Sequence, residues 1–575
     1  MATGFSHQGM HLMGASDAIG IVFHTMLRVF LRSVVLLLTA AALLTAAALA
    51  ARTAYSTYSK LRKFIVLFRI PHPPGEAVLL GSYSTMRKPD HHRSMRAWAK
   101  QLGGIYAFRV VVVADAELAD RVLGSREALN KALEPNLSDK LISHGGHRTL
   151  FSLETNSPYW RLIRKGTAPA FISRNIKNGF PDIVKILDQI VDNMQKMAPG
   201  EELDINNVTM RFAMDVTGKQ APNMQFPWHL DCLVGFAKDY GTTRSFSDAG
   251  TDDLFYILKS SVPLTFRELY CRASNPVRHL MFWLPEVKLR GEPAPGDVTI
   301  AAHLLRLRDL ATGHPLSDEL LAGEFGLFFT AGLETSGNAI SWALYLLSQH
   351  PEVERKLAQE LDAAGLLVTP ERSHPRLMVY SDLGRLTYLS WVSKEAMRVR
   401  PVASTGTTRW AKRDMNLGGY FVPEGALLAV PFDAVHHYPG NWPHDTDAFI
   451  PERWAVPGTE LAASKCIPTP DAAGSATLTD AAADGSIGVE AAASGPKRFI
   501  PFSTGPRQCL GRSLAQIMHD ATLARLTAHF TFELAPRMGG PAGVDAAEIN
   551  RLTLQPGEGM WMRVHARGRH LSADC

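Results

Sequence analysis

Cysteine is scarce in this chain: five residues in 575, at positions 232, 271, 466, 509 and 575, with no CxxC pair and no even framework. That excludes a disulfide scaffold and a structural zinc site as organising features. Charge of one sign is lacking too. The formal net charge is +5 and no dense Lys/Arg stripe occurs, so the electrostatic footprint of a nucleic-acid binder is missing. No segment repeats at a period of roughly 20–50 residues, which excludes solenoids and propellers. What remains is a globular composition, 46% hydrophobic and 20% charged, in a chain long enough for one large unit with a sizeable core.

Uncharged runs long enough to cross a bilayer are also scarce, but one stands out. SVVLLLTAAALLTAAALAA fills 33–51, with Arg28 and Arg32 before it and Arg52, Lys60, Arg62 and Lys63 after it. Its length suits a single transmembrane helix, and a cleaved signal peptide would start earlier with a shorter apolar core. The basic excess behind it favours a cytosolic body. The expected location is the endoplasmic reticulum membrane, with a plastid as the alternative. IPHPPG follows at 70–75, three prolines in four positions, and reads as a stiff connector. Residues 1–69 are thus expected to be an anchor segment and residues 70–575 the folded body.

Within the body, GGIYAFRVVVVADAELADRVL at 103–123 reads as a strand, a turn and a helix. Ser157 is expected to cap a helix that has Pro158 at its first position. Helical patterns dominate to about residue 397, the longest running from Ser317 to about His350. Strand signals return near 405–430, with GGYFVPEGALLAV as a hairpin. The expected class is mostly α with a small β region. Residues 455–497, low in aromatics and rich in Ala, Gly, Ser and Thr, are expected to be a disordered insertion.

The chemistry concentrates in PFSTGPRQCLG, where Phe502, Gly505, Arg507, Cys509 and Gly511 form F-x-x-G-x-R-x-C-x-G. A lone cysteine in such a turn is an inert packed residue, a nucleophile or a metal ligand. A helical pattern begins directly after it, and helix N-terminal amides stabilise a thiolate. The segment resembles the haem-binding loop of the cytochrome P450 superfamily, the haem-thiolate monooxygenases. The resemblance implies that Cys509 is the axial ligand of haem b iron, with Gly511 letting backbone approach the porphyrin, Phe502 shielding the sulfur from water and Arg507 toward a propionate. A thiolate ligand favours O–O cleavage.

Other segments extend the resemblance over most of the body. In KEAMRVRP, Glu395 and Arg398 stand three apart on one helix face. Read alone they are a solvated ion pair, whereas the family's pattern joins them to Arg453 of FIPERW in a buried ionic triad. Trp160 and Arg164 resemble the family's W-x-x-x-R, whose side chains bind a propionate, and Arg409 of GTTRWAKRD is assigned the same task. AGLETS resembles the family's oxygen-activating groove, with Thr335 and Glu334 as a proton relay; read alone, Gly332 marks a close helix contact. RLTLQPGEGMWMRVHAR at 551–567 resembles the family's last β-hairpin.

The resemblance therefore implies the mostly α cytochrome P450 fold behind one membrane anchor. It also implies insertion of one oxygen atom of O2 into an apolar organic substrate such as a lipid, sterol or terpenoid. Electrons would come from an NADPH-dependent reductase or a ferredoxin. The alternatives are an oxygen-independent isomerase or dehydratase of lipid hydroperoxides and a non-catalytic haem sensor. Glu334 and Thr335 argue against both. Residues from about 205 to 300 carry no motif that aligns.

Overall fold

The computed structural model describes residues 15–74, 85, 88–108, 110–124, 129–131, 149–219, 296–455 and 497–568. The chain divides into two units, Met1–Val66 and Leu67–Cys575. The first is carried by α1 (Ala15–Leu67). Its Val22–Tyr58 stretch is, among the described residues, the one helix long and apolar enough to cross a membrane. The helix extends beyond the uncharged run at both ends. Its hydroxyls are satisfied internally: Ser33, Thr39, Thr45 and Thr53 donate to the carbonyls of Val29, Val35, Ala42 and Leu49 at 2.8–3.0 Å. Such back-bonding lets polar side chains sit in hydrocarbon without an orphaned donor.

The second unit opens at the proline segment. Ile70 is buried against the first sheet, Pro73 is buried, and the Pro71 carbonyl accepts from the Ala107 N–H at 2.9 Å. The start of the proline connector is thus packed into the body. The chain then runs through α2 (His91–Leu102), β1 (Ile105–Ala107), β2 (Val111–Val113), α3 (Ala116–Gly124) and β3 (Leu129–Lys131). Next come α4 (Pro158–Thr167), α5 (Ser173–Gln195), β4 (Glu202–Asp204) and α6 (Ile205–Lys219). After the undescribed residues come α7 (Asp318–Gln349), α8 (Pro351–Ala363), α9 (Thr387–Val399), β5 (Thr407–Ala411), β6 (Met415–Leu417), β7 (Tyr420–Val422) and β8 (Leu427–Val430). The last part holds α10 (Arg512–His529), β9 (Phe530–Leu534), β10 (Glu548–Asn550), β11 (Leu554–Pro556) and β12 (Trp561–Ala566).

Local signals set the helix starts. Ser157 accepts from the Trp160 N–H at the head of α4, and Ser317 accepts from the Leu320 N–H at the head of α7. Each satisfies an amide that the helix itself cannot pair. Helix α7 is apolar nearly all round, which requires burial on most faces. It packs against α6, α9 and α10 in the main core. Two glycines let α6 approach closely. A Cβ at Gly337 would lie 2.6 Å from Met210 Sδ, and one at Gly332 2.8 Å from Thr217 Oγ1. Gly332 thus has a packing role, whatever else it serves.

Strand pairing departs from the expected hairpins. The first sheet has the order β1-β2-β8-β5-β3, with β2 and β8 parallel and the other pairs antiparallel. In place of the one strand expected at 103–123, β1 and β2 form a hairpin. Instead of folding GGYFVPEGALLAV on itself, the chain pairs β7 back on β6 and sends β8 into the large sheet. The C-terminal hairpin is corrected in the same way: β11 pairs with β10, while β12 joins β9 and β4. The partners of β8 in β2 and of β12 in β4 lie far along the chain, where a local pattern carries no information about them. Residues 456–496, nearly all of the expected insertion, and residues 220–295 lie outside the described residues.

Candidate functional site

The Cys509 loop is a chain of tight turns. Ser503 donates its N–H to Ile500 O at 3.0 Å, Cys509 to Phe502 O at 2.9 Å and Gln508 to Gly505 O at 3.0 Å. Gly505 has φ +73°, and a Cβ there would sit 2.3 Å from the Leu123 carbonyl, so no other residue fits. Ser503 also adopts a left-handed φ of 62°, a cost that a shaped loop must offset. Gly511 caps α10 directly after the cysteine.

Cys509 is accessible yet surrounded by protein. Burial pushes its thiol up, opposed by the Gly511 N–H and by the charges of Arg164 and Arg512. Phe502, whose carbonyl accepts the Cys509 N–H, is half-buried beside it.

Three guanidiniums gather around this loop from separate elements. Arg164 of α4 donates to Gln508 O at 2.9 Å. Arg507 donates through Nη2 to Leu150 O at 3.2 Å and Phe151 O at 3.0 Å. Arg409 of β5 donates through Nη1 to Thr407 Oγ1 and Thr408 O, both at 2.8 Å. Buried Trp160 lies under two of them, with Arg164 5.5 Å and Arg507 4.8 Å from its ring. Arg409 Nη2 and Arg507 Nη1 are buried without a hydrogen-bond partner. Burial and the charges of Arg409 and Arg164 push Arg507 down to about 9, and burial pushes Arg409 down to about 10. Buried cations gathered without a carboxylate among them mark a place built for an anion.

Glu395, Arg398 and Arg453 meet in a second cluster. Arg398 donates to both Glu395 oxygens at 2.9 and 2.8 Å, and Arg453 Nε to Oε1 at 2.7 Å. Glu395 also accepts from the Trp454 indole N–H and the Ile450 N–H, each at 2.9 Å. No sequence motif singles out Trp454, although it directly follows Arg453.

On α7, Thr335 is half-buried and donates to Ala331 O at 2.6 Å. Glu334 turns elsewhere, as consecutive residues on a helix do. Its carboxyl is 3% exposed and accepts from Gln555 Nε2 at 3.3 Å. Burial raises its pKa, opposed by Thr553, Arg551 and Gln555. The two members of the expected relay thus stand on adjoining faces of one helix. Sequence reading also passes over Glu324, a lone acid in the apolar AGEFGLFFTAG, and the Thr149–Ser152 turn that it touches.

A family model described as Cytochrome P450 matches residues 71–556. A putative cytochrome P450, CYP13A1, of Caenorhabditis elegans is 24% identical over 515 residues, covering 82% of this chain and 89% of the relative. Cytochrome P450 3A5 of Homo sapiens is 25% identical over 430 residues, covering 72% and 75%. Cytochrome P450 734A1 of Arabidopsis thaliana is 28% identical over 461 residues, covering 76% and 77%. The cysteine loop, both arginine clusters and α7 all fall inside the matched span, so the chain belongs to the cytochrome P450 family and is a haem-thiolate monooxygenase, an oxidoreductase working with haem, O2, an organic substrate and a redox partner.

Proposed function

We propose that the chain inserts one oxygen atom of O2 into an apolar substrate of the lipid, sterol or terpenoid kind, using electrons from an NADPH-dependent reductase or a ferredoxin. The observation that carries the site assignment is the pair of unpartnered buried nitrogens, Arg409 Nη2 and Arg507 Nη1, near an enclosed but accessible thiol. Those residues fit haem b: a soft anionic ligand for iron and cations for two propionates. Haem bound there supplies an iron centre that activates O2 for insertion into a C–H bond. Cys509 would hold the iron as a thiolate, its anion favoured by the Gly511 N–H and by Arg164 and Arg512. Arg164, Arg409 and Arg507, with Trp160, would bind the propionates, and Phe502 and Gly511 would line the cofactor. Glu395, Arg398 and Arg453 would brace the fold behind the loop.

Thr335 would orient water and pass a proton at the oxygen site once its hydroxyl leaves the Ala331 carbonyl. Glu334, whose raised pKa favours the protonated form, would replenish that proton. Residues 1–69 would anchor the chain in the endoplasmic reticulum membrane, with the body in the cytosol.

Four measurements test this reading. Cys509→His should abolish the red-shifted ferrous–CO Soret band; retention of that band would remove Cys509 as ligand. In a reductase-coupled assay, Thr335→Ala should shift electrons from product to peroxide, with Thr335→Ser milder; unchanged product per NADPH would remove Thr335 from the proton path. A chain starting at Ile70 should keep haem while losing membrane association, whereas one starting at 75 should lose haem as well, because it discards the packed Ile70. A spectral binding screen against fatty acids, sterols and terpenoids would identify the substrate class, and a uniformly negative screen would count against it.

A further inference from the structure

Glu324 lies on α7 about three turns before Thr335 and is 1% exposed. Its Oε1 accepts the Leu150 N–H at 2.7 Å, and its Oε2 has no partner. Burial pushes this carboxyl up to about 8, with the Leu150 N–H working against the shift. An acid placed there without a cation costs stability, and an apolar residue would suit the surrounding helix better. What the acid gains is a hold on a turn outside any regular element.

That turn is braced within itself by the Thr149 N–H on Ser152 Oγ and the Ser152 N–H on Thr149 O, both at 2.9 Å. Its carbonyls at Leu150 and Phe151 accept from Arg507 Nη2 at 3.2 and 3.0 Å. Nη1 of the same guanidinium is unpartnered, and Trp160 packs on its face. The links run through one turn: the acid holds the Leu150 N–H, the carbonyls of Leu150 and Phe151 hold the guanidinium, and the guanidinium keeps a free donor.

We infer that Glu324 is a positioning residue for cofactor binding: by fixing the Leu150 peptide it sets the two carbonyls that orient Arg507, leaving Nη1 available to a haem propionate. The inference rests on the reading of Arg507 as a propionate ligand. It couples the long helix that carries Thr335 to the cofactor cradle through one turn.

Haem transfer from purified holoenzyme to excess apomyoglobin, followed by absorbance, tests it without reference to turnover. Glu324→Gln keeps an oxygen for the Leu150 N–H and should release haem within about twofold of wild type. Glu324→Leu removes it and should release haem about tenfold faster. Arg507→Ala should release it faster still, and adding Glu324→Leu to that variant should change nothing more, because both act through one interaction. If Glu324→Leu accumulates too little holoenzyme, Glu324→Asp, a methylene short of the peptide, replaces it in the same cycle. Slow release from the Leu or Asp variant, with fast release from Arg507→Ala, overturns the inference and leaves the propionate reading standing. Unchanged release from Arg507→Ala overturns both. Equal acceleration by Glu324→Leu with and without Arg507 shows a packing effect and overturns the inference alone.

Discussion

Two groups of buried arginines serve this fold, and they are wired in opposite ways. In one, Arg398 uses every N–H it has: two on Glu395 and three on the carbonyls of His436, Thr446 and Ala448, at 2.7–3.0 Å. Arg453 reaches Glu395 and the carbonyls of Pro443 and Asp445. In the other, Arg409 and Arg507 each bury a terminal nitrogen with no acceptor, and no carboxylate is among the groups that shift them. Residue type and burial are shared; satisfaction is not. A saturated ion cluster has nothing left to give a ligand and belongs to the scaffold. An unsaturated one costs free energy until an anion arrives, which is the signature of a binding site.

The sharpest way to break that comparison is to remove the same chemistry from both clusters. Arg398→Ala should take two donors from Glu395, which keeps Arg453, Trp454 and the Ile450 N–H, and remove the Arg398 donors from the carbonyls of His436, Thr446 and Ala448, at about 3–5 kcal/mol. Thermal unfolding of the haem-free chain should show a large loss, and haem incorporation should fall toward zero. Comparable unfolding temperatures for Arg398→Ala and wild type would mean that the cluster is dispensable to the scaffold.

Arg409→Met and Arg507→Met should do the reverse. Without haem each removes a buried charge that lacks its anion, so stability should stay within about 1 kcal/mol of wild type or rise. With haem, affinity should drop by roughly 10–100-fold for each charge-assisted hydrogen bond to a propionate that the substitution removes. Haem titration on the apoprotein checks the second statement and calorimetry the first. Destabilisation of the apoprotein as large as that of Arg398→Ala would erase the distinction between the clusters.

Glu324 sits between these extremes, one oxygen bonded and one not, and gives the smallest effect. Its carboxyl is raised from an ordinary 4.5 to about 8 by burial, so between those values the folded chain holds more protons than the unfolded one. The contribution is therefore full below about 4.5 and is lost as the pH rises through about 8. Glu324→Gln should flatten the fall in stability across that window, read as unfolding temperature against pH. A fall of the same slope in the Gln variant would assign it to another group.

Much of the candidate site was legible in local motifs once their resemblance to the family was seen. The loop around Cys509, the E-x-x-R of α9 and the AGLETS of α7 are local patterns, and so are the serine caps at Ser157 and Ser317. Local sterics and hydrogen bonds fix such features, so neighbouring letters suffice. Glu324 and the Thr149–Ser152 turn escaped because neither belongs to a motif; an unpaired acid in an apolar helix was the available signal. The strand pairings escaped for a different reason. Whether β8 returns to β7 or joins β2 and β5 depends on segments roughly three hundred residues apart in sequence, 111–113 and 427–430.

The sequence by itself therefore supplied the candidate reactive residues, the helix starts and the apolar span at the N-terminus, because each rests on patterns within a few residues. Only the tertiary structure decided which donors are spent and which are free. Satisfaction of a buried nitrogen depends on carbonyls brought from elsewhere in the chain: Leu150 and Phe151 for Arg507, and His436, Thr446 and Ala448 for Arg398. Those acceptors are backbone atoms, the same in every residue, so no letter of the sequence marks them.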